Sequence, residues 1–339
     1  MSAQKLVYKM KNPFEDQTNE SNQNSKVLGE YYLNMRPMVS LTESHFYGPF
    51  DENQIPLVFH HKGGWVYGPV TVAQYALGNF ELFLDTGDRK YKKVFLRQAN
   101  WLNDTLTTTP KGFGVWFHSC NHPDTRVLKA PWVSAMAQGE GISVLLRAYQ
   151  LTKRSSYLEK AKQAFGALQF DISERGVKST NASGDLWFEE FPSDPPSHVL
   201  NGFVFTLFGV YDFFRVTKSE RALNLWENGV KTLQKSLHLY DAGYWSVYDQ
   251  LDRQIVSKDY HYLHINQLKA LYCLTNKKVF LTYAQRWEGY LNDPICKSRA
   301  LLKRAVLQVR IELRRYGVRG LLRRFNIKNL LRFWRETPK

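Results

Sequence analysis

The sequence predicts a mainly α protein, an incomplete (α/α) toroid of about four helical hairpins with a short extended or β-structured arm at its N-terminus. Three observations carry that expectation. A two-helix unit recurs along the chain, the two helices of each unit differ in polarity, and long aromatic-rich segments separate one unit from the next.

The units open near Ala73 ("AQYALGNFELFLDTGDRKYKKVFLRQANWL"), at Gly141 ("GISVLLRAYQLTKRSSYLEKAKQAFGAL"), near Val204 ("VFTLFGVYDFFRVTKSERALNLWENGVKTL") and at His264 ("HINQLKALYCLTNKKVFLTYAQRWEGYL"). Each reads as an apolar helix, a short polar turn opened by threonine, and an amphipathic helix. The turn residues Thr86, Thr152, Thr217 and Thr275 are spaced by 66, 65 and 58 residues. The first helix of a unit is apolar on every side, as in Val144, Leu145, Leu146, Ala148 and Tyr149, and predicts an inner helix. The second confines its apolar residues to one stripe, as in Tyr157, Ala161, Ala164, Phe165 and Leu168, and predicts an outer one. In a toroid the excursions 105–138, 170–200 and 238–263 would gather at one mouth and form the site.

Three regions follow from this reading: an arm over 1–66 with short strands, the helical body over 67–296, and a basic tail over 297–339. The tail holds 14 Lys/Arg and 2 Asp/Glu, whereas the other 296 residues carry 32 basic and 29 acidic side chains, so the net charge of +15 belongs mostly to the tail. Its apolar residues Leu302, Val306, Val309, Leu313 and Tyr316, then Leu321, Phe325, Leu331 and Trp334, recur at helical spacing among arginines. A basic amphipathic helix of this kind predicts contact with an anionic membrane surface. A helix docked on the body is the alternative, and a nucleic-acid contact the less favoured one. No run of about 18 apolar residues predicts a membrane span. The N-terminus has no apolar core of a signal peptide, and three scattered cysteines predict a reducing, cytoplasmic setting, with the tail at the inner face of the membrane. His118, Cys120 and His122 alternate in a short loop and make a poor four-ligand set, so no metal is expected.

Chemistry is predicted in the excursions. "DLWFEEF" (185–191) sets Glu189 and Glu190 among Trp187, Phe188 and Phe191, and the prolines that follow place the pair on a loop. "GYWSVYDQ" and "KDYHYLHINQL" bring Tyr244, Tyr248, Tyr260 and Tyr262 together with His261, His264 and Asn266. A phenol titrates near pH 10, so it serves as an acid or base at neutral pH only beside groups that tune it. For each tyrosine a place at the rim of the core is an equal expectation.

Three of these segments resemble the C-terminal domain of the glucuronyl C5-epimerases: "PWVSAMAQGEGISVLLRAY" (131–149), "WFEEFP…HVLNGFVFTLFGVYD" (187–212) and "DYHYLHINQL" (259–268). The resemblance spans roughly 110–292 with the motifs in order. It implies an α-helical catalytic domain with its cleft at one end, a homodimer, no cofactor, and conversion of D-glucuronate to L-iduronate in a hexuronate-containing acidic polysaccharide or its lipid-linked precursor. By motif, the family's catalytic tyrosines fall at Tyr248 and Tyr260, and its acidic site residue at Glu190. Substrate contacts are expected at Glu189, Trp187, Phe191, Gln138 and Asn201, and at His261, His264 and Asn266. Glu140 also matches, although a helix-start acid explains it as well. Arg147 would bind a carboxylate or serve in a buried ion pair.

Two departures stand out. Phe191 occupies the place of a family tyrosine, and Gln250 and Leu251 follow Tyr248–Asp249 where an arginine is expected, with Arg253 out of register. An active epimerase with altered contacts is the favoured reading. His261, His264 or Tyr262 replacing the lost phenol is a second. The rivals are a uronate polysaccharide lyase, which begins with the same C5 deprotonation, and a catalytically silent glycan-binding protein.

Overall fold

The computed structural model describes residues 25–44, 48–60, 63–121, 128–307 and 309. Helix α1 (Arg36–Glu43) precedes four hairpins: α2 (Pro69–Thr86) with α3 (Arg89–Thr105), α4 (Ala135–Thr152) with α5 (Ser155–Gly166), α6 (Leu200–Thr217) with α7 (Glu220–Ser236), and α8 (Lys258–Thr275) with α9 (Lys278–Asn292). The first helices form the inner layer: α2 packs on α4, α4 on α6 and α6 on α8. Among the described residues no comparable interface joins α8 back to α2, so this is an incomplete (α/α) toroid. Its polarity follows the sequence. Residues Ala135 to Ala148 of α4 and Leu200 to Phe213 of α6 are buried on every side, whereas α7 buries one stripe through Ala222, Trp226, Val230 and Leu233.

The hairpin turns are one device used four times. Each turn threonine is the last residue of its inner helix and donates its hydroxyl to the carbonyl four residues back, at 2.7, 2.7, 2.7 and 2.6 Å for Thr86, Thr152, Thr217 and Thr275. The same oxygen accepts the backbone N–H two residues on, at Asp88, Arg154, Ser219 and Lys277. Between them a left-handed residue (Gly87, Lys153, Lys218 or Asn276) donates its N–H back to the helix and stops it. At the centre, α4 and α6 touch backbone to backbone: a Cβ on Gly209 would lie 2.5 Å from Gly139 Cα.

The excursions carry short antiparallel pairs, β3 (Thr107–Thr108) with β4 (Gly114–Val115), β5 (Phe117–His118) with β6 (Trp132–Val133), and β7 (Lys178–Thr180) with β8 (Leu186–Phe188). All lead into the N-termini of inner helices and are laced together there. Ala135 donates to Glu189 O at 3.0 Å, Leu200 to Tyr248 O at 3.1 Å, and Gln250 to Ser197 O at 3.1 Å. They therefore share one mouth.

The N-terminal arm holds α1 and a hairpin of β1 (Leu57–His60) and β2 (Gly64–Tyr67). Tyr31, Tyr32 and Leu33 are buried in the core that the inner helices form, with Tyr32 stacked 4.7 Å from Phe208. Inner-helix side chains hold its backbone: Arg215 donates to Ser25 O and Val27 O, Arg147 to Gly29 O and Glu30 O, and Glu81 accepts from Tyr31 N and Met35 N. The arm thus runs from the C-terminal ends of the inner helices toward the mouth.

The basic tail begins as a helix over 294–307. Asp293 caps it by accepting the N–H groups of Ile295 and Cys296. Cys296 and the buried Ala300 pack on the body, and Arg299 lies 4.2 Å over the Tyr244 ring. Of the expected apolar stripe, Leu302 and Val306 face outward at 67% and 44% exposure. Leu313, Tyr316, Leu321, Phe325, Leu331 and Trp334 lie outside the described residues. Among the described residues, no helix is long and apolar enough to cross a membrane.

Candidate active site

The two adjacent glutamates follow β8 on an extended loop, so their side chains point to opposite sides. Glu189 turns inward and is fully buried. Its carboxylate accepts Ser179 Oγ at 2.7 Å and His198 N at 3.1 Å, and meets His198 Nδ1 at 2.6 Å. Glu190 turns toward the mouth and lies against the first turn of α6, where Asn201 Nδ2 donates to Oε2 at 3.3 Å. A helix N-terminus favours a carboxylate there. The approach needs a bare α-carbon at Gly202, because a Cβ would stand 2.6 Å from Glu190 Cβ and 2.9 Å from its Cδ.

Tyr248 arrives from the third excursion, pinned by its own N–H to Gln254 O and its carbonyl to Leu200 N. Its hydroxyl donates to Glu190 Oε1 at 3.3 Å. Tyr260 sits in the first turn of α8, where Ser257 Oγ caps its N–H at 3.2 Å. It is 40% exposed, and its ring stands edge-on to Tyr248 at 5.8 Å and 77°. The three residues named by motif are therefore together.

They border two clefts. An inner cleft of about 260 Å³ is lined by Glu190, Asn201, Tyr260, Met136, Phe205, Leu263, Val70, Thr71 and Gln74, and by Leu33, Asn34, Met35, Pro37 and Met38 of the arm. An outer cleft of about 330 Å³ is lined by Tyr248, Gln254, Ile255, Val256, Ser257, Tyr260, Arg304 and Leu307. Tyr260 stands between them.

Behind the inner cleft, Gln74 Nε2 donates to Glu140 Oε1 at 3.0 Å. Burial pushes Glu140 well above the usual carboxylate range, and the charge of Glu190 acts in the same direction against the Gln74 hydrogen bond. Burial therefore favours the protonated form of Glu140, and Glu190 is the acid that lines the inner cleft. As a fully buried group in the second turn of α4, Glu140 is more than a helix-start acid.

The other expected contacts are not brought to either cleft's described lining. Arg147 is buried and pairs with Asp212 at 2.6 Å, the ion-pair alternative, and it holds the arm as well. Gln138 is buried, accepts Trp116 N, and donates to Gly114 O and Ala164 O, tying α4 to β4 and α5. Trp187 stacks 3.9 Å from Phe203 in the core. His261 sits between Ser246 and Trp287 O and lies flat on Trp245 at 3.9 Å, and His264 meets Ser246 Oγ at 3.0 Å. Burial lowers their imidazoles to about 4 and about 3, so both are neutral braces. Asn266 lies on α8 outside both linings, and Phe191 packs 5.7 Å from Trp132. His118 stacks on the same Trp132 at 4.0 Å, while His122 lies outside the described residues.

Sequence reasoning missed the arm's share of the inner cleft. The one available signal was the apolar run "YYLNM" (31–35) in an otherwise polar segment. It missed Gln74 and Arg304 as well, which lie far from the motifs in sequence.

Comparison with known proteins bears on the family and the architecture. The chain is 35% identical over 182 residues to the D-glucuronyl C5-epimerase of Caenorhabditis elegans, a match covering 48% of this chain and 29% of that protein. It is 32% identical over 178 residues to an uncharacterised protein of Methanocaldococcus jannaschii, covering 52% of this chain and 57% of that one. The chain thus spans about a third to just over half the length of these relatives. In architecture it resembles the cellobiose 2-epimerase of Spirochaeta thermophila, with a TM-score of 0.50 at 12% identity over 76% of this chain and 72% of the other. The profile of the D-glucuronyl C5-epimerase C-terminus matches residues 109–289, which contain Glu190, Tyr248 and Tyr260, and the chain belongs to that family.

Proposed function

We propose that this protein epimerises uronate residues at C5, converting D-glucuronate to L-iduronate within a polysaccharide or a lipid-linked glycan. The observation that carries the reading is the meeting of one cleft-facing carboxylate with two phenols, Tyr248 bonded to Glu190 at 3.3 Å and Tyr260 beside it. Epimerisation breaks the C5–H bond, spreads its electron pair into the adjacent carboxylate as an enediolate, and returns a proton to the opposite face. Tyr248 passes its own proton to Glu190 as it takes the one from C5. Tyr260 gives its proton to the other face. Afterwards the proton on Glu190 leaves to solvent and Tyr260 regains one from solvent, which its 40% exposure permits. Phe191 has no part in this relay.

The test is incubation with heparosan, N-acetylated and N-sulfated, followed by NMR of the polymer. Iduronate signals in chains of unchanged length support the reading. Shortened chains with ultraviolet-absorbing unsaturated ends identify a lyase. Binding without either product identifies a silent glycan-binding protein.

The tail extends this proposal to an anionic membrane at the cytoplasmic face. Ile295, Leu302 and Val306 stand exposed on this basic helix, which suits a peripheral contact. Deleting 310–339 is expected to reduce co-sedimentation with phosphatidylserine vesicles, and unchanged binding would remove the idea. The homodimer is proposed with it, and sedimentation equilibrium tests that.

A further inference from the structure

We propose that Arg304, carried by the helix that follows the epimerase-like body, receives the uronate carboxylate at the cleft. This inference rests on the epimerase reading and supplies the cation that its chemistry requires.

The family arginine expected after Tyr248–Asp249 is absent, and the structure offers no substitute near that point. Arg253 donates to Leu239 O at 2.5 Å. Three buried or half-buried arginines elsewhere are engaged as well: Arg147 with Asp212 and the arm, Arg215 with the arm, and Arg36 of the arm with Glu30, Glu81 and Asp85. Among the described residues that line the two clefts, Arg304 is the one Lys or Arg.

Its placement is built by the helix. Cys296, Ala300, Arg304 and Leu307 recur at spacings of three and four residues and so share the face turned to the body. Asp293 fixes the start of that helix, and Arg299 over Tyr244 fixes its middle. The guanidinium therefore enters the outer cleft that Tyr248 and Tyr260 also border. It is half-buried there, and burial lowers its pKa while the nearby charge of Asp259 acts the other way. Among the described residues Arg304 forms no ion pair within 4.0 Å. A partly desolvated guanidinium presents a planar fork of donors that matches a carboxylate. Beside the two phenols it would hold the group into which the C5 electron pair spreads, so its charge counts for more in the transition state than in the ground state.

The experiment uses the full chain with Arg304→Ala, Arg304→Lys and, as a control on the same helix, Lys303→Ala, whose side chain is exposed. Binding of a heparosan oligosaccharide is measured by calorimetry beside that of its carboxyl-reduced counterpart, and turnover is measured where the wild type shows it. Arg304→Ala is expected to weaken uronate binding about tenfold or more, and to lower kcat/KM at least as much. Arg304→Lys should recover part of both, Lys303→Ala should match the wild type, and no variant should change affinity for the reduced oligosaccharide. Should the wild type bind uronate without turnover, the epimerase reading falls, and the binding difference between oligosaccharides still decides the role of Arg304. Equal uronate affinity in Arg304→Ala and wild type, an equal loss in Lys303→Ala, or no uronate binding by the wild type would overturn the proposal.

Discussion

Glu189 and Glu190 differ by one position and have opposite roles because an extended chain alternates its side chains. Glu189 is a brace between Ser179 and His198, and Glu190 faces the cleft. Their glutamine variants should therefore separate stability from activity. Glu190→Gln is expected to lower turnover about 10²-fold or more with the melting temperature unchanged. Glu189→Gln is expected to cost about 1–3 kcal/mol of stability, seen in urea unfolding, because it leaves a buried partner unpaired. Equal effects on both readouts would contradict the assignment. Gly202→Ala belongs with Glu190: its Cβ would displace that carboxylate, so activity should fall far more than stability. The sequence marked the pair as unusual because carboxylates among aromatics need partners. Composition alone could not say which acid faced the cleft; the family motif pointed to Glu190 but also placed Glu189 at the substrate, whereas the structure turns Glu189 inward to Ser179 and His198.

At the scale of the element, the hairpin turns were legible because threonine recurs where a local, repeated geometry needs it. Thr217 both donates to Phe213 O and accepts from Ser219 N, so Thr217→Val should cost about 1 kcal/mol without affecting the site. Less legible was the start of α8, where motif residues divide by helical face. Tyr260 points to the clefts while His261 and His264 point into the core. Their folded pKa values, about 4 and about 3, lie below the ordinary imidazole value near 6.5. The unfolded chain therefore binds more protons over that interval, and their contribution to stability is full above about pH 6.5 and lost as pH falls toward 4. NMR should show both rings neutral at about pH 5.5 in the folded protein. A charged ring at that pH would contradict the buried-brace role.

At the scale of the whole molecule, the arm was the least legible part, because its anchors are long-range. Arg147, Arg215 and Glu81 hold its backbone from three different inner helices, and no local period in the arm announces that. Since the arm supplies core residues and one wall of the inner cleft, removal of residues 1–44 is expected to abolish cooperative unfolding as well as activity. A truncated chain that melts like the wild type would show that the arm is dispensable.

The central claim is that two phenols and Glu190 move a proton on and off C5 of a uronate without breaking the chain. Solvent deuterium tests it most directly. Heparosan is incubated in D2O with the wild type, Tyr248→Phe and Tyr260→Phe, and deuterium at C5 is read by NMR together with chain length. The account predicts C5 deuterium in intact chains for the wild type and its loss in both variants with the fold retained. Deuterium undiminished in both tyrosine variants, or none in the wild type, would contradict it.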